Sequence, residues 1–188
     1  MCKGADEPMK LKTGWAIAIM VILIAGGVIL GAYRGWNDER VLVNETRAGL
    51  ENMLQTRVES AYNVLAVAKR HIPVTDEAYQ HVAQDLKALE DKSDNLAPRA
   101  EANEALTADA AALLDKLAQL DSVKNDSRDN MYVTSYLPQM LAQSEQKTAG
   151  AAYNQAAAEF NSRMNGTFSG WLARTLLGVK PAVEFQAR

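Results

Sequence analysis

Residues 13–33 read TGWAIAIMVILIAGGVILGAY, 21 consecutive residues without a charge in a chain of 188. As a helix rising about 1.5 Å per residue, the run spans about 30 Å, the thickness of the hydrocarbon core of a bilayer. Trp15 and Tyr33 stand at its two ends, where amphipathic rings settle at headgroup level, and Lys10, Lys12 and Arg34 lie just outside it. The run predicts a single transmembrane helix over 13–33, preceded by a short polar tail over 1–12. A cleaved signal peptide is the competing reading. Against it, the apolar stretch is long for a signal core and no small-residue cleavage site precedes a mature start.

Orientation is balanced, with Lys3, Lys10 and Lys12 before the run and Arg34, Arg40 and Arg47 after it. Cys2 has no lipobox before it and reads as a free thiol on the tail, with acylation near the membrane left open. Within the span Gly27, Gly31 and Gly35 recur every four residues, two overlapping GxxxG patterns on one helical face. Small residues at this spacing let two helices approach closely, which makes self-association one reading; ordinary glycine content of a membrane helix is the other.

Beyond the span the periodicity is helical and strand signals are absent. A break at 35–37 is expected to open a first long helix over 38–70, on which Leu50, Leu54, Ala61, Leu65 and Ala68 recur at helical spacing, widened by Met53, Val58 and Tyr62. Pro73 marks its end, and Thr75 and Asp76 offer a cap for a second helix over 76–91 with Tyr79, Val82, Leu86 and Leu89 on its apolar face. A third helix over 97–121 carries Leu106, Ala110, Leu113, Leu117 and Leu120. The polar stretch 121–130 then predicts a turn before a fourth helix over 129–165, kinked or restarted at Pro138 and ended by Gly166 with positive φ. A short amphipathic segment, 168–177, either caps the open end of the domain or dips into a membrane surface; capping is the preferred reading. The expected fold is all-α: the transmembrane helix followed, over 34–188, by an elongated antiparallel four-helix bundle.

Composition excludes several functions. With 20 Lys+Arg against 23 Asp+Glu and a net charge of −3, there is no basic surplus for a nucleic-acid backbone. One cysteine and two histidines rule out a disulfide framework and disfavour a metal site, and His71 and His81 lack the i, i+4 spacing that puts two imidazoles on one ion. No Walker loop, GxSxG or HExxH occurs. Neither a catalytic residue, a cofactor nor a metal is expected, and the chain does not read as an enzyme. A polar face of Tyr153, Asn154 and Asn161, with Tyr62 and Asn63 on a helix packed nearby, is either a partner groove or a set of amides and phenols that fix helix register; the second is preferred.

The order of these blocks resembles the LemA family. The span is followed by YRGWN at 33–37, and ENMLQTRVESAYNVL at 51–65 is similar to the family's VENQLQRRxDLIPNLV, with Glu51, Asn52, Leu54, Gln55, Arg57, Asn63 and Leu65 in place. Tyr153-Asn154 and Phe160-Asn161 sit like the family's YNxxVxxYN, and FSGWLARTLLGVKPAVEF at 168–185 is similar to its ending, with Gly178, Pro181 and Phe185 in place. Ala61-Tyr62, Gly150, Val179 and Pro138 depart from the pattern, as in a divergent member. The resemblance implies a bacterial single-pass cell-membrane protein, with a branch in magnetosome membranes, whose short N-tail is proposed to lie outside and whose bundle would face the cytoplasm. The function expected is that of a scaffold or adaptor whose partners are the bilayer and an unidentified protein, with its own copies as a further candidate. The alternative is an accessory subunit of a membrane-bound protease, phosphatase or signalling enzyme.

Overall fold

The computed structural model describes residues 13–145 and 147–187, and every regular element among them is helical. Cys2, Lys3, Lys10 and Lys12 lie outside the described residues.

The first helix, α1, runs unbroken over Thr13–Ala68, 56 residues and about 84 Å. The break expected at 35–37 does not occur. Gly35 stays helical, and Trp36 beside it is buried, its ring meeting that of Phe160 edge-on with centroids 5.5 Å apart and planes at 88°. A glycine inside a helix costs about 1 kcal/mol, and an edge-to-face aromatic pair returns about as much before any burial is counted. The apolar run and the expected first helix are therefore one rod. Its two halves differ in surroundings. None of the most apolar window of α1 is buried against the rest of the chain, whereas Leu50, Leu54, Ala61 and Ala68 further along are completely enclosed. Tyr62 departs from that stripe: it is half exposed, and its hydroxyl donates to Glu90 Oε1 at 2.7 Å.

Helix α2, Glu77–Glu90, starts where Asp76 accepts a hydrogen bond from the Ala78 amide, and it turns Val82, Leu86 and Leu89 inward. Helix α3, Ala97–Gln119, takes Pro98 in its first turn, where no amide donor is needed, and buries Leu106, Ala110, Leu113 and Leu117. Both helices pack on each other and on α1.

The single fourth helix expected over 129–165 is instead four pieces. After a one-turn helix α4, Asp121–Lys124, helix α5, Ser127–Met131, is capped by Asp126, whose carboxylate accepts from the Arg128 and Asp129 amides. A π-helical turn, Tyr132–Tyr136, leads into α6, Leu137–Ser144. Pro138 explains the widening: it has no amide hydrogen to donate to the carbonyl four residues back, and a π turn just before it absorbs the missing bond. Glu145 then leaves helical geometry, with φ −79° and ψ 70°, and α7 follows over Lys147–Gly166. Its inward face is Tyr153, Ala156, Ala157, Phe160 and Met164, and the alanines allow close packing on α1.

Helix α7 ends at Gly166 without the positive φ expected there; the corner is made by Thr167, extended at φ −124°, whose hydroxyl caps α8, Phe168–Leu176, by accepting from the Gly170 amide. A Cβ on Gly170 would stand 2.2 Å from the Met164 carbonyl oxygen, so only glycine lets α8 fold back this tightly. Among the described residues the one glycine with positive φ is Gly178, at 64°, which turns the chain out of α8 into an extended tail.

A charged side chain sits at the centre of this apolar assembly. Arg57 is wholly buried on α1, and it donates to the Asn103 carbonyl and the Thr107 hydroxyl, both at 2.8 Å, to the Asn103 side-chain oxygen at 3.2 Å and to Ser144 Oγ at 3.4 Å. One guanidinium thus ties α1 to α3 and α6. Burial lowers its pKa from the usual arginine value, opposed by the nearby Glu145 and Asp85 charges. Arg57→Ala is expected to lower the unfolding free energy by about 3 kcal/mol, since it leaves a cavity and buried acceptors without donors. Arg57→Lys, which keeps the charge and loses the fork, should recover only part of this in urea titrations followed by circular dichroism.

Candidate membrane anchor and the clamps that position it

The aromatic residues expected at the membrane interface are both on the outside of α1, Trp15 at 69% and Tyr33 at 56% exposure. The glycine face is divided. Gly31 and Gly35 line a groove of about 460 Å³ between α1 and α8, together with Val28, Trp36, Phe168 and Leu172, while Gly27 is not part of it. Two of the three glycines thus face a helix of the same chain. Where the polar part of α1 begins, Glu39 pairs with Arg163 of α7.

The positions that carry the family resemblance scatter over different tasks. Leu54 is core. Glu51 accepts a two-pronged hydrogen bond from the buried Arg99 of α3, at 2.8 and 2.7 Å, and Arg99 also donates to the Leu89 carbonyl at the end of α2. The Arg99 hydrogen bonds hold the Glu51 carboxyl below the usual carboxylate range. Asn52 is exposed, and Gln55 bonds Glu59 along the surface of α1. Arg57 is the core tie described above.

The tyrosine–asparagine face is not one cluster. Tyr62 reaches Glu90, and exposed Asn63 meets the Met140 sulfur at 3.7 Å, so among the described residues neither bonds to α7. The α7 members act together in another way: they grip the tail. Asn161 donates to the Ala182 carbonyl at 2.9 Å and accepts from the Ala182 amide at 2.8 Å; Asn154 does the same with Phe185, at 2.8 and 2.7 Å. Tyr153 donates its hydroxyl to the Val183 carbonyl at 2.6 Å. A carboxamide offers one donor and one acceptor side by side, as a peptide group does in a sheet. The spacing is matched as well, since seven residues of helix rise about 10.5 Å and three residues of extended chain cover about 10 Å. Phe185 is thereby brought down on Gly150, and Pro181 lies along a groove that also includes Arg40 and Tyr153.

Two further constellations have no counterpart in the sequence reading. His71, just past α1, places Nε2 2.9 Å from Asp129 Oδ2 and Nδ1 3.1 Å from Ser122 Oγ. The Asp129 carboxylate is almost fully buried, and Arg70 stands 3.1 Å from its other oxygen in an ion-pair contact that lacks hydrogen-bond alignment. With Nε2 donating to Asp129, Nδ1 accepts from the serine hydroxyl, the order of groups in a hydrolytic relay. The network closes the corner formed by the end of α1, α4 and α5. Among the described residues no group of three or more histidine, cysteine or acidic side chains is placed to hold a metal ion.

The second is Asp85 of α2, which burial and the neighbouring Asp109 carboxylate push up to about 6, with one oxygen buried and unpaired. No protein-family model, no curated protein and no solved structure matches the chain.

Asn154→Ala is expected to lower the melting temperature and to expose the segment after Gly178 to limited proteolysis, at a cost of about 1–2 kcal/mol for two lost hydrogen bonds. Because folding raises the Asp85 pKa, the folded state holds the extra proton, and stability should fall as pH rises from about 4 to about 6. Asp85→Asn should remove that slope and gain about 1 kcal/mol at pH 7, after allowance for the solvent that reaches the group. Glu51 has the opposite sign: its contribution is present above its unfolded pKa and is lost on acidification.

Proposed function

We propose that the chain is a single-pass membrane protein of the LemA type, whose helical domain is an elongated antiparallel four-helix bundle acting as a scaffold or adaptor at the membrane surface. The observation that carries this reading is the continuity of α1. The same helix that presents an unburied apolar run of membrane-spanning length becomes, without a break, the central wall of the packed domain. Removal of the run by a signal peptidase would leave α1 starting beside the Trp36–Phe160 contact, which argues for an anchor that is retained. An uninterrupted helix also transmits the direction of the span to the domain, so partners meet it at a set angle and at raised local concentration.

The reading is one of binding without a catalytic step. It takes support from the way the polar clusters are used: Arg57, Arg99, Asn154 and Asn161 satisfy groups of the chain itself. By the family resemblance, the tail would lie outside and the domain in the cytoplasm.

In native membranes the full-length chain is expected to resist alkaline extraction, and a variant without residues 13–33 to become soluble. Membrane-impermeant maleimide should label Cys2 in intact cells if the tail is outside. Crosslinking should then give ladders of the protein with itself or with several proteins. One stoichiometric foreign enzyme in their place would make it an accessory subunit.

A further inference from the structure

The face that α8 turns away from the protein is its most apolar one. Its buried side is made of the small residues Gly170 and Ala173, packed on α7 and α1, while Phe168, Trp171 and Leu176 project outward at 71%, 50% and 60% exposure. Phe168 and Trp171 stack with centroids 5.8 Å apart, forming one aromatic plate. Thr175 falls on the same outward face, and its hydroxyl donates to the Trp171 carbonyl at 2.7 Å, so it brings no unpaired donor there. A soluble helix buries its large apolar side chains and exposes its small or polar ones; α8 does the reverse.

Its position supplies the occupant of that face. Phe168 and Leu172 share a groove with Val28, Gly31, Gly35 and Trp36 of α1, so α8 lies alongside the stretch where the uncharged run ends at Tyr33 and the charged residues Arg34, Asp38 and Glu39 begin. That stretch is the headgroup boundary of a span running over 13–33. Val28, half exposed on the span, lines this groove beside Phe168 and Leu172, so the apolar surface of α8 runs on to that of the span. Arg174 at the edge of α8 bonds the Asn165 side chain and keeps its charge to the side of the plate.

We propose that α8 is an interfacial helix whose outward face, Phe168, Trp171 and Leu176, inserts into the acyl–headgroup boundary of the bilayer crossed by α1. The proposal rests on the reading of α1 as a membrane span. The domain is then held to the membrane at two places, and the second stops it from rotating about the axis of α1. Gly170 and Thr167 acquire a role in this arrangement, since the tight corner they form brings α8 back to the level of the membrane.

The test uses the full chain in phosphatidylcholine–phosphatidylglycerol vesicles whose acyl chains are brominated near the carbonyl. Trp15→Phe protein, compared with Trp15→Phe/Trp171→Phe protein, in which Trp36 alone emits, isolates the emission of Trp171; Trp171→Phe protein compared with the same double variant isolates Trp15 as the reporter of the span. Trp171 emission is expected to shift to the blue, to be lost to bromine and to be shielded from aqueous iodide. In Phe168→Ser/Leu176→Ser protein of unchanged helix content, the quenching of Trp171 should weaken while that of Trp15 persists. Quenching of Trp15 with Trp171 open to iodide overturns the proposal and leaves the anchor standing. Shielding of Trp171 from bromine and iodide alike overturns it in favour of a face covered by a second copy. Quenching of neither residue overturns the anchor reading itself.

Discussion

A backbone hydrogen-bond ladder that continues from Thr13 to Ala68 is the constraint on which everything else in the molecule depends. A helix of this length bends only gently unless a proline, a π bulge or an inserted side chain interrupts it, and α1 contains no proline. What happens at one end is therefore felt as direction at the other. Polar ties join α1 and its end to other helices at successive levels: Glu39 with Arg163 beside the apolar run, Glu51 with Arg99 about three turns on, Arg57 with α3 and α6 beyond that, and His71 with Asp129 past the helix end.

These ties differ in what they contribute. The exposed Glu39–Arg163 pair is worth little in water, since solvent screens it and two long side chains must be held still. Arg57 is another matter: enclosed on all sides, it can be kept charged only because several oxygens converge on it, and its loss strands those oxygens in an apolar interior. Apolar side chains supply most of the cohesion, but a stripe of leucine and alanine would tolerate sliding by a turn. A guanidinium that must find Asn103 and Thr107 does not.

The tail extends the same logic. Asn154 and Asn161 treat an extended segment as a sheet would, and Phe185 then closes over α7 at Gly150. The C-terminal residues become part of the wall of the domain. In between, α8 is held at the corner made by Thr167 and Gly170, with its large apolar side chains facing away from the protein.

Much of the helical pattern was legible in the residues alone. The apolar run, the buried stripe from Leu50 to Ala68, the Asp76 cap and the leucine ladder of α3 all follow from local spacing, because apolar periodicity and capping act within one or two turns. The break expected at 35–37 failed because Trp36 meets Phe160 from 124 residues away, and local glycine content carries no information about that contact. The division of the expected fourth helix was announced by Pro138, whose missing amide also accounts for the π turn before it, whereas the stop at Glu145 had no such local signal. Arg57 left a positional hint, three residues after Leu54 and four before Ala61 on the apolar stripe, but its partners come from two other helices. Likewise the sequence determined that Asn154 and Asn161 share a face of a helix; only the tertiary structure decided that they clasp the chain's own tail, because a carboxamide accepts any matching donor and acceptor and the fold chooses which backbone is brought within reach.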